Sequence, residues 1–160
     1  MIAVEPNPLL WPYLEWNVHQ NGLTNVKIVK CALGEPGSYV LIQEDDGGTV
    51  ASTIAPHGSG TPVQVKGLDE ILLELGCKQI DVIKMDIEGA ELAALSGFVG
   101  LRDVRCVAVE LHGGLNLAEV PLLLSRHFDI YYETPYNVWR NTMVNIANHP
   151  MDFLASEIRS

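Results

Sequence analysis

Cysteine is scarce in this sequence, positive charge is scarcer than negative, and long apolar runs are missing. Each shortage closes off a class of function. The three cysteines, Cys31, Cys77 and Cys106, lie far apart in 160 residues and form no CxxC pair. Such spacing builds neither a disulfide framework nor a thiolate zinc site. Each sits in or beside an apolar segment, so buried, reduced thiols in a reducing cytoplasm are expected. Lys and Arg together number 10 against 20 acids, a formal net charge of −10. Broad binding to a nucleic-acid backbone needs concentrated cations that release counterions, and this composition argues against it. Attraction to an anionic membrane surface is disfavoured for the same reason. No stretch approaches the roughly 20 apolar residues that span a bilayer. The N-terminus has no basic segment followed by an apolar one, so no secretory signal is expected.

What is present is a globular composition, 48% hydrophobic and 19% charged, arranged as alternating strand and helix patterns. That alternation predicts an α/β protein with a mostly parallel sheet, organised as one domain over residues 1–160. Residues 1–5 (MIAVE) read as a first strand. Asn7, Pro8 and Pro12 mark entry into a helix running to about Asn21, with Asn7 suited to cap its N–H groups. Leu10, Leu14 and Val18 supply its core-facing stripe, and Asn21-Gly22 its stop. Residues 26–31 (VKIVKC) alternate as a second strand. After the connector Ala32-Leu33-Gly34, residues 39–43 and 61–65 form a hairpin around a polar loop, 45–60, without periodicity. A short helix at 68–75 ends at Gly76. Residues 81–85 are a strand, 88–96 a helix closed by Gly97, and 104–111 a buried strand. Residues 117–127 are a helix interrupted at worst near Pro121. Residues 128–132 and 143–147 are an antiparallel pair finishing one edge.

Three strand ends carry residues suited to chemistry. In open α/β sheets ligands bind beyond the carboxyl ends of the strands, and Glu5 ends the first. A carboxylate there can accept both vicinal hydroxyls of a ribose, although a solvated strand-end acid would look the same. In residues 82–92 (VIKMDIEGAEL), alternation puts Lys84 and Asp86 on one side. Glu88 then enters the first turn of the next helix, where the helix dipole favours an acid, and Gly89 lets the backbone pass close to a ligand. This group could orient a substrate, bind a cation or shift its members' protonation, or it could simply cap the helix. Glu110 and His112, two apart, share a face at the end of the buried strand. An imidazole beside a carboxylate is a credible general base, and a structural hydrogen-bonding histidine is the plain alternative. His19, His57, His127 and His149 have no partner pattern and are assigned to the surface. Trp11, Trp16, Tyr131, Tyr132, Tyr136 and Trp139 are either core and interface aromatics or the lining of an acceptor pocket.

Taken together, IAVEPNPLLWPYLEWNVHQNGLTNVKIVKCALG, then VKGLDEILLELG with IDVIKMDIEGAELAALSGF, then VRCVAVELH resemble the FkbM family of methyltransferases over about residues 1–112. The KMDIEGAE run is the most specific part. The resemblance implies a Rossmann-like class I methyltransferase fold, a three-layer sandwich. It also implies methyl transfer from S-adenosylmethionine, usually to a hydroxyl oxygen of a sugar, glycan or natural product. It places Glu5 on the cofactor ribose, with Asn7 beside it, and the Cys31-Ala32-Leu33 segment beside the adenine. Asp86 and Glu88 fall at the fourth strand's mouth, near where donor and acceptor meet, and Glu110 and His112 at the fifth strand's end, all four in substrate-orienting or base roles.

Against that family pattern the sequence starts in what would be the second strand. The first strand and its glycine-rich turn, which would cradle the methionine part of the cofactor, are expected to be missing. A central strand absent in this way would leave unpaired N–H and C=O groups, each costing on the order of 1–3 kcal/mol if buried. The flanking strands could close up, or a second copy in a homodimer could complete the sheet. A truncated chain that binds cofactor weakly or not at all is the competing expectation. A metal-dependent hydrolase using Asp86, Glu88, Glu110 and His112 ranks below both, since no metal-ligand spacing is present.

Overall fold

The computed structural model describes residues 1–42, 60–133 and 142–147. The polar loop expected at 45–60, apart from Gly60, and the aromatics Tyr136 and Trp139 lie outside the described residues. The chain divides into two compact units, Met1–Ile71 and Leu72–Ser160, and each contains a β-α-β unit with parallel strands.

In the first unit, β1 (Ile2–Val4) leads through α1 (Trp11–Gln20) to β2 (Lys27–Val29). The two strands pair in parallel, Ile2 opposite Lys27 and Val4 opposite Val29. Helix α1 carries Pro12 in its first turn, where a missing N–H costs nothing. It ends where Gly22, at φ +61°, lets the chain turn back. There Gly22 N–H donates to His19 O and Leu23 N–H to Val18 O, each at 3.0 Å. The stripe Leu10, Leu14 and Val18 is the less exposed side of this helix, but it is only half-buried. Trp16 is 61% exposed, so it is not a core residue of this unit. Asn7 does not cap the helix. Leu10 holds that position, and Asn7 instead closes the preceding turn, its Oδ1 accepting from Leu9 N–H at 2.9 Å.

Ala32-Leu33, read above as a connector, is a short strand, β3 (Ala32–Leu33), pairing in parallel with β5 (Thr61–Lys66). Two residues are too few to display an alternation, so the sequence gives no sign of it. The expected hairpin is present: β4 (Tyr39–Ile42) pairs antiparallel with β5, Tyr39 opposite Gln64. Along β5, Val63 and Val65 are buried while Pro62 and Gln64 are exposed, the period of two that a one-sided strand requires. Helix α2 (Leu68–Glu74) follows, and it stops as expected at Gly76, at φ +65°.

The second unit opens with β6 (Val82–Met85), α3 (Glu91–Ser96), a 3₁₀ turn at Val99–Asp103 and β7 (Cys106–Leu111). It continues through α4 (Gly114–Leu124) to β8 (Asp129–Glu133) and β9 (Thr142–Ala147). The sheet order is β6-β7-β9-β8. Strands β6 and β7 are parallel, and β9 runs antiparallel to both β7 and β8. The late pair expected from sequence is therefore present, with β9 inserted between β7 and β8. Val107, Val109 and Leu111 on β7 are fully buried, as are Val120 and Leu124 on α4 and Leu95 on α3. Each such side chain contributes about 1.5–3 kcal/mol on leaving water, and together they form this unit's core.

Three expectations need correcting here. Helix α3 begins at Glu91 and not at 88, because Glu88 (φ +54°) and Gly89 (φ +110°) are left-handed and cannot continue a helix. Helix α4 starts at Gly114 and passes through Pro121 without ending. Of the cysteines only Cys31 is buried; Cys106 is half-buried and Cys77 exposed. Among the described residues no helix is long and apolar enough to cross a membrane.

Candidate active site

Strands β6 and β7 run parallel with Met85 opposite Val109, so their carboxyl ends deliver Asp86 and Glu110 side by side. Period-two alternation sends Lys84 and Asp86 to the exposed side of β6, opposite the buried Ile83 and Met85. On β7 the same alternation places Glu110 and His112 together, with Leu111 pointing into the core. Glu88 comes in from the left-handed turn after β6.

These four side chains meet. The Nε2 of His112 lies 3.5 Å from a Glu88 oxygen and 3.8 Å from oxygens of Asp86 and Glu110. The His112 side chain is 16% exposed, whereas Glu88 is 60% exposed and reaches in from solvent. The four residues singled out from the sequence at this rim therefore come together, the three acids around the one imidazole. Lys84, expected to join the acids, forms no ion pair with Asp86 or Glu88 among the described residues.

The residue that sequence reasoning missed is Glu91. Its carboxylate is completely buried, and its Oε1 sits 2.9 Å from His112 Nδ1. The same oxygen accepts the Gly89 N–H at 2.9 Å, which ties down the turn. A signal for it was available. Glu91, Ala94 and Leu95 are the buried residues of α3, spaced i, i+3, i+4, so an acid occupies a core position of the helical stripe. Asn116, also missed, joins the two segments from α4. Its Oδ1 accepts from Leu92 N–H, and its Nδ2 donates to Gly89 O and His112 O at 2.8 and 2.7 Å.

Burial by itself pushes His112 toward the neutral form. The hydrogen bond that the ring donates to Glu91 and the charges of Glu88, Glu91 and Asp86 act the other way and prevail. His112 therefore keeps its proton to higher pH than an ordinary imidazole. Asp86, Glu88 and His112 also offer one ligand atom each, all within 4.8 Å of one another. A cation could use that spacing, as could an imidazolium among carboxylates, and a carboxylate on the far ring nitrogen suits either arrangement.

In the first unit, Glu5 follows β1 directly, and its N–H donates to Val29 O at 3.1 Å. Glu5 thus stands at the carboxyl end of β1 beside the end of β2. Its Oε1 accepts the Asn7 N–H at 2.7 Å, and its carbonyl accepts the Trp11 Nε1–H at 2.8 Å. The carboxylate is therefore fixed at the strand mouth. Asn7 is 2% exposed and Ala32 9%. Ala32 and Leu33 follow β2 and are held by their pairing with Val65 and Lys66.

A parallel β-α-β unit with a carboxylate at its strand mouth, and a second with an imidazole set among acids, define a Rossmann-like α/β protein with ionisable side chains at its strand ends. The profile of the methyltransferase FkbM domain matches residues 1–134, and the chain belongs to that family. It is similar to the methyltransferase sdnD of Sordaria araneosa, 27% identical over 130 residues, covering 61% of this chain and 50% of that protein. It is also similar to the hexuronic acid methyltransferase AglP of Haloferax volcanii, 28% identical over 126 residues, covering 78% of this chain and 52% of that one. The chain spans about half the length of these curated relatives. A solved delta-N METTL16 methyltransferase domain overlays with a TM-score of 0.45 at 14% identity, covering 92% of this chain and 61% of that one. A likeness that loose bears on neither function nor site.

Proposed function

We propose that this chain serves S-adenosylmethionine-dependent methyl transfer to a hydroxyl oxygen, with His112 as the general base. The observation that carries the reading is the imidazole at the β6–β7 rim, held at Nδ1 by Glu91 with Nε2 facing the side where Asp86 and Glu110 lie. Family membership supplies the reaction class.

The cofactor's ribose fits the first unit's strand mouth. Glu5 is fixed by Asn7 N–H through one oxygen, and a carboxylate so oriented accepts hydrogen bonds from a vicinal diol. Asn7, Ala32 and Leu33 would complete that contact, the last two beside the adenine. When bound, S-adenosylmethionine supplies an electrophilic methyl group on a sulfonium. This chain's own part is to position an acceptor and take its proton. The acceptor hydroxyl would give up its proton to His112 Nε2 as its oxygen took the methyl carbon and the carbon–sulfur bond broke, leaving the electron pair on a neutral thioether; Glu91, Glu88 and Asp86 would stabilise the imidazolium so formed. The crowd of carboxylates also sorts acceptors. A neutral hydroxyl on a sugar, glycan or natural product can approach, while an anionic oxygen would be repelled.

The test combines calorimetry with S-adenosylmethionine and a methyl-transfer assay on neutral and acidic sugars as methyl glycosides. Glu5→Ala should abolish or strongly weaken cofactor binding. His112→Ala should lower transfer by roughly 10²–10⁴-fold while cofactor still binds. Cofactor binding indifferent to Glu5→Ala would remove the ribose assignment. Transfer indifferent to His112→Ala would remove the base.

A further inference from the structure

Glu91 is difficult to explain as a structural residue. It is fully buried at a core position of α3, where leucine or alanine would be the inexpensive choice. Its Oε2 is buried without a hydrogen-bond partner among the described residues. A carboxylate buried with one oxygen unsatisfied costs free energy that an apolar side chain would avoid. Its other oxygen accounts for its presence, since it faces His112 Nδ1 at 2.9 Å. A carboxylate has only acceptors to offer, so the ring must present N–H there. A neutral His112 then carries its proton on Nδ1 and leaves Nε2 as a bare lone pair.

We propose that Glu91 is a positioning residue that locks His112 in the Nδ1–H tautomer and turns Nε2 toward the reacting side of the β6–β7 rim. The charged groups facing that ring are Asp86 from the end of β6, Glu88 from the left-handed turn, Glu91 from α3 and Glu110 from β7. Only Glu91 touches Nδ1; the other three lie around Nε2. Asn116 supports the arrangement from α4 by gripping both His112 O and Gly89 O. The inference builds on the proposed base role of His112, but the ring's tautomer and titration can be read without any methyl transfer.

The experiment is a pH titration of the full chain by two-bond ¹H–¹⁵N spectra of the histidine rings, with His112 assigned from the His112→Ala spectrum. In the wild type the neutral ring should show the Nδ1–H pattern and titrate above free imidazole. Glu91→Gln keeps an acceptor for Gly89 N–H but removes the charge, so the His112 midpoint should move down. The low-pH limb of methyl transfer should move down with it. Glu91→Leu, which fills the volume but frees the ring, should lower kcat by about 10²-fold with KM unchanged. An Nε2–H tautomer in the wild type would overturn the proposal. A His112 midpoint unmoved by Glu91→Gln would overturn it equally, whether or not the chain transfers methyl groups.

Discussion

Replacing Asn116 by aspartate changes one NH₂ into an oxygen and almost nothing in volume, so it isolates what the amide donates. Asn116 is 6% exposed and makes three hydrogen bonds. It accepts from Leu92 N–H at 2.9 Å and donates to Gly89 O at 2.8 Å and His112 O at 2.7 Å. Aspartate keeps the first and turns both others into oxygen facing oxygen. Gly89 is exposed and its carbonyl can find water, whereas His112 is largely covered. Leaving one buried acceptor unpaired costs about 1–3 kcal/mol, and losing a rehydrated bond about 0.5–1.5 kcal/mol. The expected loss is therefore about 2–4 kcal/mol. With a urea slope near 2 kcal/mol per molar, the unfolding midpoint should fall by roughly 1–2 M, measured by far-ultraviolet circular dichroism. Asn116→Ala removes all three bonds but adds no repulsion, and it should fall at least as far as a small cavity and the freed Leu92 N–H require. An Asn116→Asp protein as stable as the wild type would refute the claim that the amide donors tie the turn to the end of β7.

Two other consequences can be measured on the same material. Because His112 holds its proton more tightly folded than unfolded, its stabilisation is complete below the unfolded value near 6.5. It is lost as the pH rises through the higher folded value. The stability gap between wild type and His112→Ala, from urea midpoints, should accordingly be wider at pH 6 than at pH 8.5; an equal gap would contradict the charge environment described above. The cysteines should react with a thiol reagent in the order of their exposure. Cys77 should react first, Cys106 more slowly since burial raises its thiol despite the nearby Arg105, and Cys31 only on unfolding; a different order in a timed reaction would be incompatible with this packing.

The strands were legible wherever burial is one-sided or complete. Ile83 and Met85, Val63 and Val65, and Val107, Val109 and Leu111 alternate in sequence because each strand has one covered face, and the alternation brought Asp86, Glu110 and His112 to one rim. Helix ends were legible where glycine does something no other residue does cheaply, as at Gly22 and Gly76. The start of α3 was not, because nothing in the letters DIEGAE says that Glu88 adopts a left-handed backbone. Glycine at 89 invites such a turn, but a glutamate there normally signals the first turn of a helix. That one-turn displacement hid Glu91. With α3 begun at 88, the acid at 91 reads as an ordinary member of its first turn, favoured by the helix dipole. Its spacing to Ala94 and Leu95 nevertheless puts it on the buried stripe. What makes it tolerable there is an imidazole arriving 21 residues later, a partner that no local window contains. The acids on the rim are visible in sequence because strand ends are local features. The buried acid beside their imidazole shows in sequence only as a carboxylate on an apolar helix stripe, and its partner becomes apparent only once the two segments are folded together.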